Sequence, residues 1–235
     1  MSAEADRRAY LDALGIDVWT RRGAVIGPVA DGAKTSAETS ADSSTAPEGL
    51  DWIPLRQKVA ACTLCGLHKG RTQTVFGVGS ETARCMIIGE APGAEEDRQG
   101  EPFVGRAGKL LDEMLRAIGL ERSEVYIANI LKCRPPNNRD PTAEEANHCR
   151  GYLERQIDLL NPRMILAVGR IAAQELLNSD APVGQLRGTT HTLRDGRLPM
   201  VVTYHPAYLL RSPLQKRKAW EDLCRAKKLL AEPVQ

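Results

Sequence analysis

Four short apolar runs stand out along the chain: Cys85–Gly89 (CMIIG), Val125–Leu131 (VYIANIL), Met164–Val168 (MILAV) and Met200–Thr203 (MVVT). They are continuous rather than alternating, as expected for strands buried on both faces. Between them, helical spacing covers Gly108–Ile118, Thr142–Leu160 and Ile171–Leu177, and a last helix is expected over Leu214–Leu230. Thr142, with Glu145 three residues on and Pro141 just before, reads as a capping-box start. Strands alternating with helices imply parallel crossovers. The pattern therefore predicts an α/β fold, a three-layer α/β/α sandwich around a central four-stranded, mainly parallel sheet. Ligands of such sheets gather at the carboxyl ends of the strands. No internal repeat is present.

Ahead of this pattern, Ala30–Leu50 carries almost no large apolar residue and reads as a disordered linker. Residues 1–29 form a separate, partly helical segment, with Tyr10, Leu11 and Leu14 on one side of Ala3–Leu14. That segment fits a loosely packed terminus and equally a docking peptide anchored by Trp19, which would give the chain a protein partner. The folded domain is expected over 51–235, as a monomer. Apolar residues make up 42% of the chain, enough for a sizeable core, and no apolar run approaches the length of a membrane span. The opening MSAEADRRAY lacks the apolar centre of a signal peptide, so a cytoplasmic location is expected. The net charge of +2 hides an asymmetry: residues 1–50 hold five Lys and Arg against eight Asp and Glu, leaving 27 against 22 in the rest. The domain is mildly basic, which suits a polyanionic partner without requiring one.

A chain of 235 residues with an ample aliphatic core needs no disulfide staples, so its six cysteines are expected to be metal ligands or core thiols in a reducing compartment. Cys62-Thr-Leu-Cys65 is a C-x2-C pair ahead of the first strand, Cys133 follows the second strand, and Cys149 lies in the next helix. Such a set can close a four-thiolate site for [4Fe–4S] or for zinc, and the spacing leaves both open, beside a chance pair with two buried thiols. His68 and His148 adjoin the cysteines and could substitute as ligands. Cys85 and Cys224 read as ordinary core residues.

The first strand is followed by Gly89-Glu90-Ala91-Pro92-Gly93-Ala94-Glu95-Glu96-Asp97, which holds a carboxylate stiffly at a strand end. Glu101-Pro102-Phe103-Val104-Gly105 then leads into a helix with one of the chain's two phenylalanines. The second strand delivers Asn129, whose amide can both donate and accept. The fourth delivers Tyr204-His205-Pro206-Ala207-Tyr208-Leu209-Leu210-Arg211. Singly, each of these is as compatible with a structural role as with a functional one.

Together, GEAPG at 89–93, EPFVGRAGKLL at 101–111, YIANILKCRPP at 126–136 and HPAYLLR at 205–211 resemble the family 4 uracil-DNA glycosylases, the iron–sulfur branch of that superfamily. The resemblance runs from about Leu55 to Leu230, with Cys62, Cys65, Cys133 and Cys149 where the family places its cluster ligands. It implies uracil-containing DNA as substrate and a [4Fe–4S] cluster as cofactor. By resemblance Phe103 stacks on the flipped uracil, Asn129 pairs with its edge, backbone N–H groups around Gly89–Gly93 hold a carbonyl, and His205 bonds O2. Glu90 orients water or stabilises the sugar cation. Ala91 and Gly93 stand where the better-known branch has an aspartate and an aromatic, so thymine exclusion is expected to fall to Glu96. Phe103–Gly108 runs straight into the helix, without the histidine-containing loop of a related covalent-trapping branch. Leu209, Leu210 and Arg211 are expected to face the DNA groove, with Arg134 and Arg139 available for phosphate and Lys216, Arg217 and Lys218 tracking the backbone.

Overall fold

The computed structural model describes residues 47–232. The segment expected over 1–29, with Trp19, lies outside the described residues, as does the linker up to residue 46. From the turn at 47–50 the chain enters α1 (Trp52–Ala60), a 3-10 turn (Gly66–Lys69), β1 (Val78–Gly79), β2 (Cys85–Gly89), α2 (Ala94–Gln99) and α3 (Arg106–Ala117). There follow β3 (Tyr126–Asn129), α4 (Ala143–Leu160), β4 (Met164–Val168), α5 (Arg170–Leu177) and α6 (Val183–Leu186). The chain ends in β5 (Thr190–Leu193), β6 (Leu198–Thr203), α7 (Pro206–Arg211) and α8 (Lys216–Ala231). No helix among the described residues is long and apolar enough to cross a membrane.

The four expected strands form the parallel centre of the sheet, in the order β3-β2-β4-β6. The sheet has six strands rather than four, because β1 pairs antiparallel with β3 and β5 antiparallel with β6. Neither edge strand carries an apolar run: β1 is two residues long, and β5 (THTL) is partly exposed with leucine as its one apolar residue. Such short edges leave little unpaired backbone for another chain to join.

Alternate residues of the central strands serve opposite layers, as the two-residue period of a strand requires. Met86, Ile88, Ala128, Ile165 and Val202 pack with α4 and α5 through Leu153, Ile157 and Ala172. Ile87, Ile127, Leu166, Val168 and Val201 pack with α3 and α8 through Leu111, Leu115 and Leu223. Leu111 and Leu115 are fully buried, so truncating either to alanine costs about 2–5 kcal/mol. A third, smaller cluster of Leu55, Val59, Phe76 and Tyr152 fastens α1 to α4.

The capping box of α4 forms as expected: Glu145 N donates to Thr142 Oγ1 at 3.2 Å, and Thr142 N donates to Glu145 Oε2 at 2.9 Å. Beyond β3, the N–H groups of Ile130 and Leu131 donate to the carbonyls of Gly89 and Glu90 at 2.9 and 3.0 Å. The ends of β2 and β3 are thereby held side by side, which fixes Glu90 and Asn129 next to each other.

Candidate active site

A cleft of about 830 Å³ opens at the carboxyl ends of β2, β3, β4 and β6, and Glu90, Glu96, Phe103, Asn129, His205 and Arg211 line it. Four of these come from three separate strand ends and the loop into α3, while Glu96 comes from α2 and Arg211 from α7. Only the parallel crossovers bring them to one place.

Asn129 is 2% exposed, and its Oδ1 is buried without a hydrogen-bond partner among the described residues. An unpaired buried acceptor costs about 1–3 kcal/mol, and a ligand that brings a donor into the cleft would satisfy it. Gly89, in register beside Asn129, makes room for the arrangement: a Cβ there would lie 2.5 Å from Asn129 Oδ1 and 2.6 Å from Phe103 Cζ. Gly89 thus acts by the space it leaves. Gly89→Ala is expected to displace both side chains and abolish detectable binding of free uracil while the fold survives, as checked by titration with uracil and by circular dichroism.

Phe103 has φ +54, an uncommon conformation for a residue with a side chain and a form of strain that clusters at functional sites. The strain is enforced from two sides. Glu96 Oε1 accepts the N–H groups of Val104 and Gly105 at 3.0 and 3.1 Å. A Cβ on Gly108 would fall 1.8 Å from the Phe103 carbonyl oxygen, so only glycine lets the first turn of α3 tuck under it. The Phe103 ring stacks on the His205 ring, with centroids 5.5 Å apart and planes at 30°.

His205 caps α7, its Nδ1 accepting the N–H of Ala207 at 3.1 Å. Nδ1 is therefore the unprotonated nitrogen, and the ring's proton sits on Nε2 as a donor. Burial lowers the His205 pKa to about 4, Arg211 adding to the shift and Glu96 opposing it. The ring is neutral at neutral pH.

Glu90 follows β2 and is partly buried in the cleft. Burial first, and then the charge of Asp140, push its pKa up to about 7, against the pull of Arg170. Arg170 pairs with Asp140 at 2.5 Å and reaches Gln174 at 3.1 Å. A carboxylate poised near neutrality suits proton transfer to or from water. Asp140 and Arg170 line the cleft but are absent from the sequence-based site. The strand-end rule applied to β4, whose run MILAV ends at Gly169-Arg170, is the signal that would have found Arg170.

Several expected contacts fall elsewhere. Leu209 is 1% exposed and packs into the core beneath α3 and α8, so it cannot enter a DNA groove. The helical phase of α7 turns Pro206 and Leu209 inward, leaving Leu210 and Arg211 exposed at its outer end. Arg134 lies outside the cleft lining and holds Asn138 Oδ1 at 2.8 Å. Arg139, expected to be available for phosphate, is engaged by Glu145 at 2.6 and 2.8 Å. That contact is the largest cause of a Glu145 pKa lowered to about 2.

Cys62, Cys65, Cys133 and Cys149 line one small cavity, together with Arg71, Lys132 and Tyr152. No group of three or more His, Cys, Asp or Glu side chains among the described residues is arranged to hold a metal ion directly. Arg71 donates to Cys133 Sγ at 3.0 Å and to the Ala60 carbonyl at 2.9 Å. His68 is turned to the Cys65 carbonyl at 2.7 Å. Cys85 is a buried core thiol, as expected, whereas Cys224 is only partly buried.

The strand-end cleft of this three-layer fold thus pairs an open buried amide with an aromatic ring, a neutral histidine and a poised carboxylate. The chain belongs to the uracil DNA glycosylase superfamily, whose pattern it matches over residues 76–224. It is 46% identical over 181 residues to a type-4 uracil-DNA glycosylase of Archaeoglobus fulgidus, covering 74% of this chain and 89% of that protein. To the type-4 enzyme of Thermotoga maritima it is 42% identical, over 74% of this chain and 92% of the relative. A type-5 uracil-DNA glycosylase of Thermus thermophilus is 36% identical over 52% of this chain and 60% of its own length. These matches place the chain in the type-4 branch.

Proposed function

We propose that the protein hydrolyses the N-glycosidic bond of uracil in DNA, the first step of base excision repair. The observation that carries this reading is Asn129, with its buried, unpartnered Oδ1 between Gly89 and Phe103. The amide oxygen accepts the uracil N3–H and the amide nitrogen donates to O4. Cytosine presents an acceptor and a donor at those positions and is mismatched at both. The base lies inside the cleft, so the nucleotide leaves the stack to reach it, and Phe103 offers a ring face on which it packs.

Bond cleavage leaves positive charge on the sugar and drives the C1′–N1 electron pair onto the uracil ring, much of it to O2. His205 Nε2–H donates to that oxygen as its charge grows, from a ring that burial keeps neutral. Glu90, ionised, stabilises the oxocarbenium-like sugar and accepts a proton from the water that adds to C1′. The products are an abasic deoxyribose and free uracil. Glu96 holds the Phe103 loop through its Oε1, and its Oε2 would lie 2.6 Å from a Cβ on Gly93, where it occupies the space needed by a larger group at C5 of the base. Leu210, 39% exposed, is the residue available as a wedge into the vacated stack, with Arg211 and Arg134 as phosphate contacts.

Cys62, Cys65, Cys133 and Cys149 are proposed as the ligands of a [4Fe–4S] cluster. All four line a single cavity, as the ligands of one cluster must, and it is the resemblance to the family 4 enzymes that favours the cluster over zinc there. Arg71, donating to Cys133 Sγ, supports a thiolate there. When bound, the cluster supplies a cross-link among the segment after α1, the loop after β3, and α4. Hydrolysis transfers no electrons. Cys149→Ala is expected to remove the visible absorbance and to lower stability by about 3 kcal/mol or more, roughly 6–12 °C in Tm for a domain of this size. A colourless wild-type protein as purified would speak for zinc or for no metal.

The proposed activity is tested by mass spectrometry of a uracil-containing oligonucleotide after incubation. The expected product has exchanged uracil for a hydroxyl with its strand intact, and free uracil appears in equal amount. An unchanged oligonucleotide after prolonged incubation with stoichiometric protein contradicts the assignment.

A further inference from the structure

The end of β3 that presents Asn129 is held from below by a buried lysine. Lys132 is 1% exposed, and its Nζ donates to the main-chain carbonyl of Asn129 at 2.9 Å and to Gln156 Oε1 at 2.6 Å. Gln156, fully buried on α4, donates in turn to the Phe76 carbonyl at 2.9 Å and to the Tyr126 hydroxyl at 3.2 Å. The main chain of Lys132 is fixed as well, its carbonyl accepting Val75 N–H at 2.8 Å. Every atom that orients the ammonium therefore belongs to the core.

A buried ammonium is costly unless it is hydrogen-bonded and its charge is compensated, and a methionine of similar length would fill the same space more cheaply. Asn129 and Gln156 accept two of its three N–H groups, yet neither carries charge. On its other side, Lys132 lines the cavity of the four cysteines. Thiolates of Cys62, Cys65, Cys133 and Cys149 holding a cluster there would supply the missing negative charge.

Asn129 needs such an anchor. It is the last residue of β3, and its Oδ1 finds no protein partner to hold it ready. The orientation of the amide then depends on the backbone that carries it. We propose that Lys132 is a positioning residue for uracil recognition: held by the charge of the cysteine site, its ammonium pins the Asn129 carbonyl and so aims the Asn129 amide at the base. This rests on the reading of Asn129 as the uracil reader and of the cysteines as cluster ligands.

The test uses the full chain purified with its visible absorbance, and two ligands. Free uracil probes the amide, and DNA with an abasic site probes the rest of the surface. In Lys132→Met, affinity for free uracil is expected to fall by about tenfold or more, with abasic-DNA affinity and the absorbance per protein kept within about twofold. Because Lys132 acts through Asn129, adding Lys132→Met to Asn129→Ala should cost less than about twofold in uracil affinity beyond Asn129→Ala alone. Full additivity of the two losses, or an unchanged uracil affinity in Lys132→Met, overturns the inference. Should Lys132→Met fail to fold, Gln156→Met frees the ammonium from its second partner and is expected to weaken uracil binding about threefold. A folded, coloured Gln156→Met protein with undiminished uracil affinity overturns it too. An Asn129→Ala protein that binds uracil as wild type does removes the reading of the pocket itself, and this inference with it.

Discussion

Glu90→Gln is expected to lower the single-turnover rate of uracil excision by about 10²–10⁴-fold. Glutamine keeps the size and the hydrogen-bonding edge of the side chain but cannot carry the charge that faces the sugar cation or take a proton from water. Affinity for abasic-site DNA should stay near wild type, because Glu90 acts on the reacting sugar and not on the phosphates. The same residue sets the pH dependence. With a pKa of about 7, Glu90 loses its proton as the pH rises through neutrality. The wild-type rate should therefore climb toward a plateau above pH 7, and the residual rate of Glu90→Gln should lack that rise. Stability runs the other way. The folded pKa is raised from 4.5, so the folded state holds the proton more tightly than the unfolded chain between those values. That contribution is fully present below about 4.5 and is lost as pH rises through about 7. Glu90→Gln should accordingly gain in Tm relative to wild type at pH 8 and not at pH 4, as thermal denaturation at the two pH values will report. A carboxylate that costs stability at working pH is consistent with a residue placed for chemistry.

His205→Ala is expected to reduce the same rate by about 10²–10³-fold, the usual cost of removing one preorganised donor from a developing oxyanion. The cap geometry dictates which nitrogen does the work. With Nδ1 taken by Ala207 N–H, Nε2 must be the donor, and burial keeps the ring neutral down to about pH 4. No titration of His205 should therefore show in the rate between pH 5 and 9. His205→Gln restores an N–H donor and should recover part of the loss, whereas His205→Phe preserves the stack on Phe103 without the donor and should not. Single-turnover rates for the three variants, with abasic-DNA binding as a control, separate loss of the donor from loss of packing.

The parallel centre of the fold was legible because its strands are buried on both faces and so spell out unbroken apolar runs. The edge strands were not, since β1 has two residues and β5 one apolar side chain. In the site, Glu90, Asn129 and His205 were legible because motif and strand end coincide at each, and Phe103 because its motif leads directly into a helix. Leu209 and Leu210 could not be told apart from sequence: both are leucines on a six-residue helix, and only its packing on α3 fixes which one turns inward. The engagement of Arg139 by Glu145 could have been suspected from their separation of six residues. By contrast, Asp140 and Arg170 are thirty residues apart and meet only because β4 returns beside β2. Lys132 reads as an ordinary basic residue beside a cysteine. Its burial depends on α4 crossing behind β3, a tertiary fact with no local signature.

The most direct test of the account is alkali cleavage of three oligonucleotides that differ at one position, carrying uracil, cytosine or thymine. Each is incubated with the wild-type protein and with Asn129→Ala. Strand breakage confined to the uracil oligonucleotide, and strongly reduced by Asn129→Ala, is the expected result. Equal breakage at uracil and cytosine, or breakage at uracil that Asn129→Ala leaves untouched, would contradict the assignment of this cleft as a uracil-reading active site.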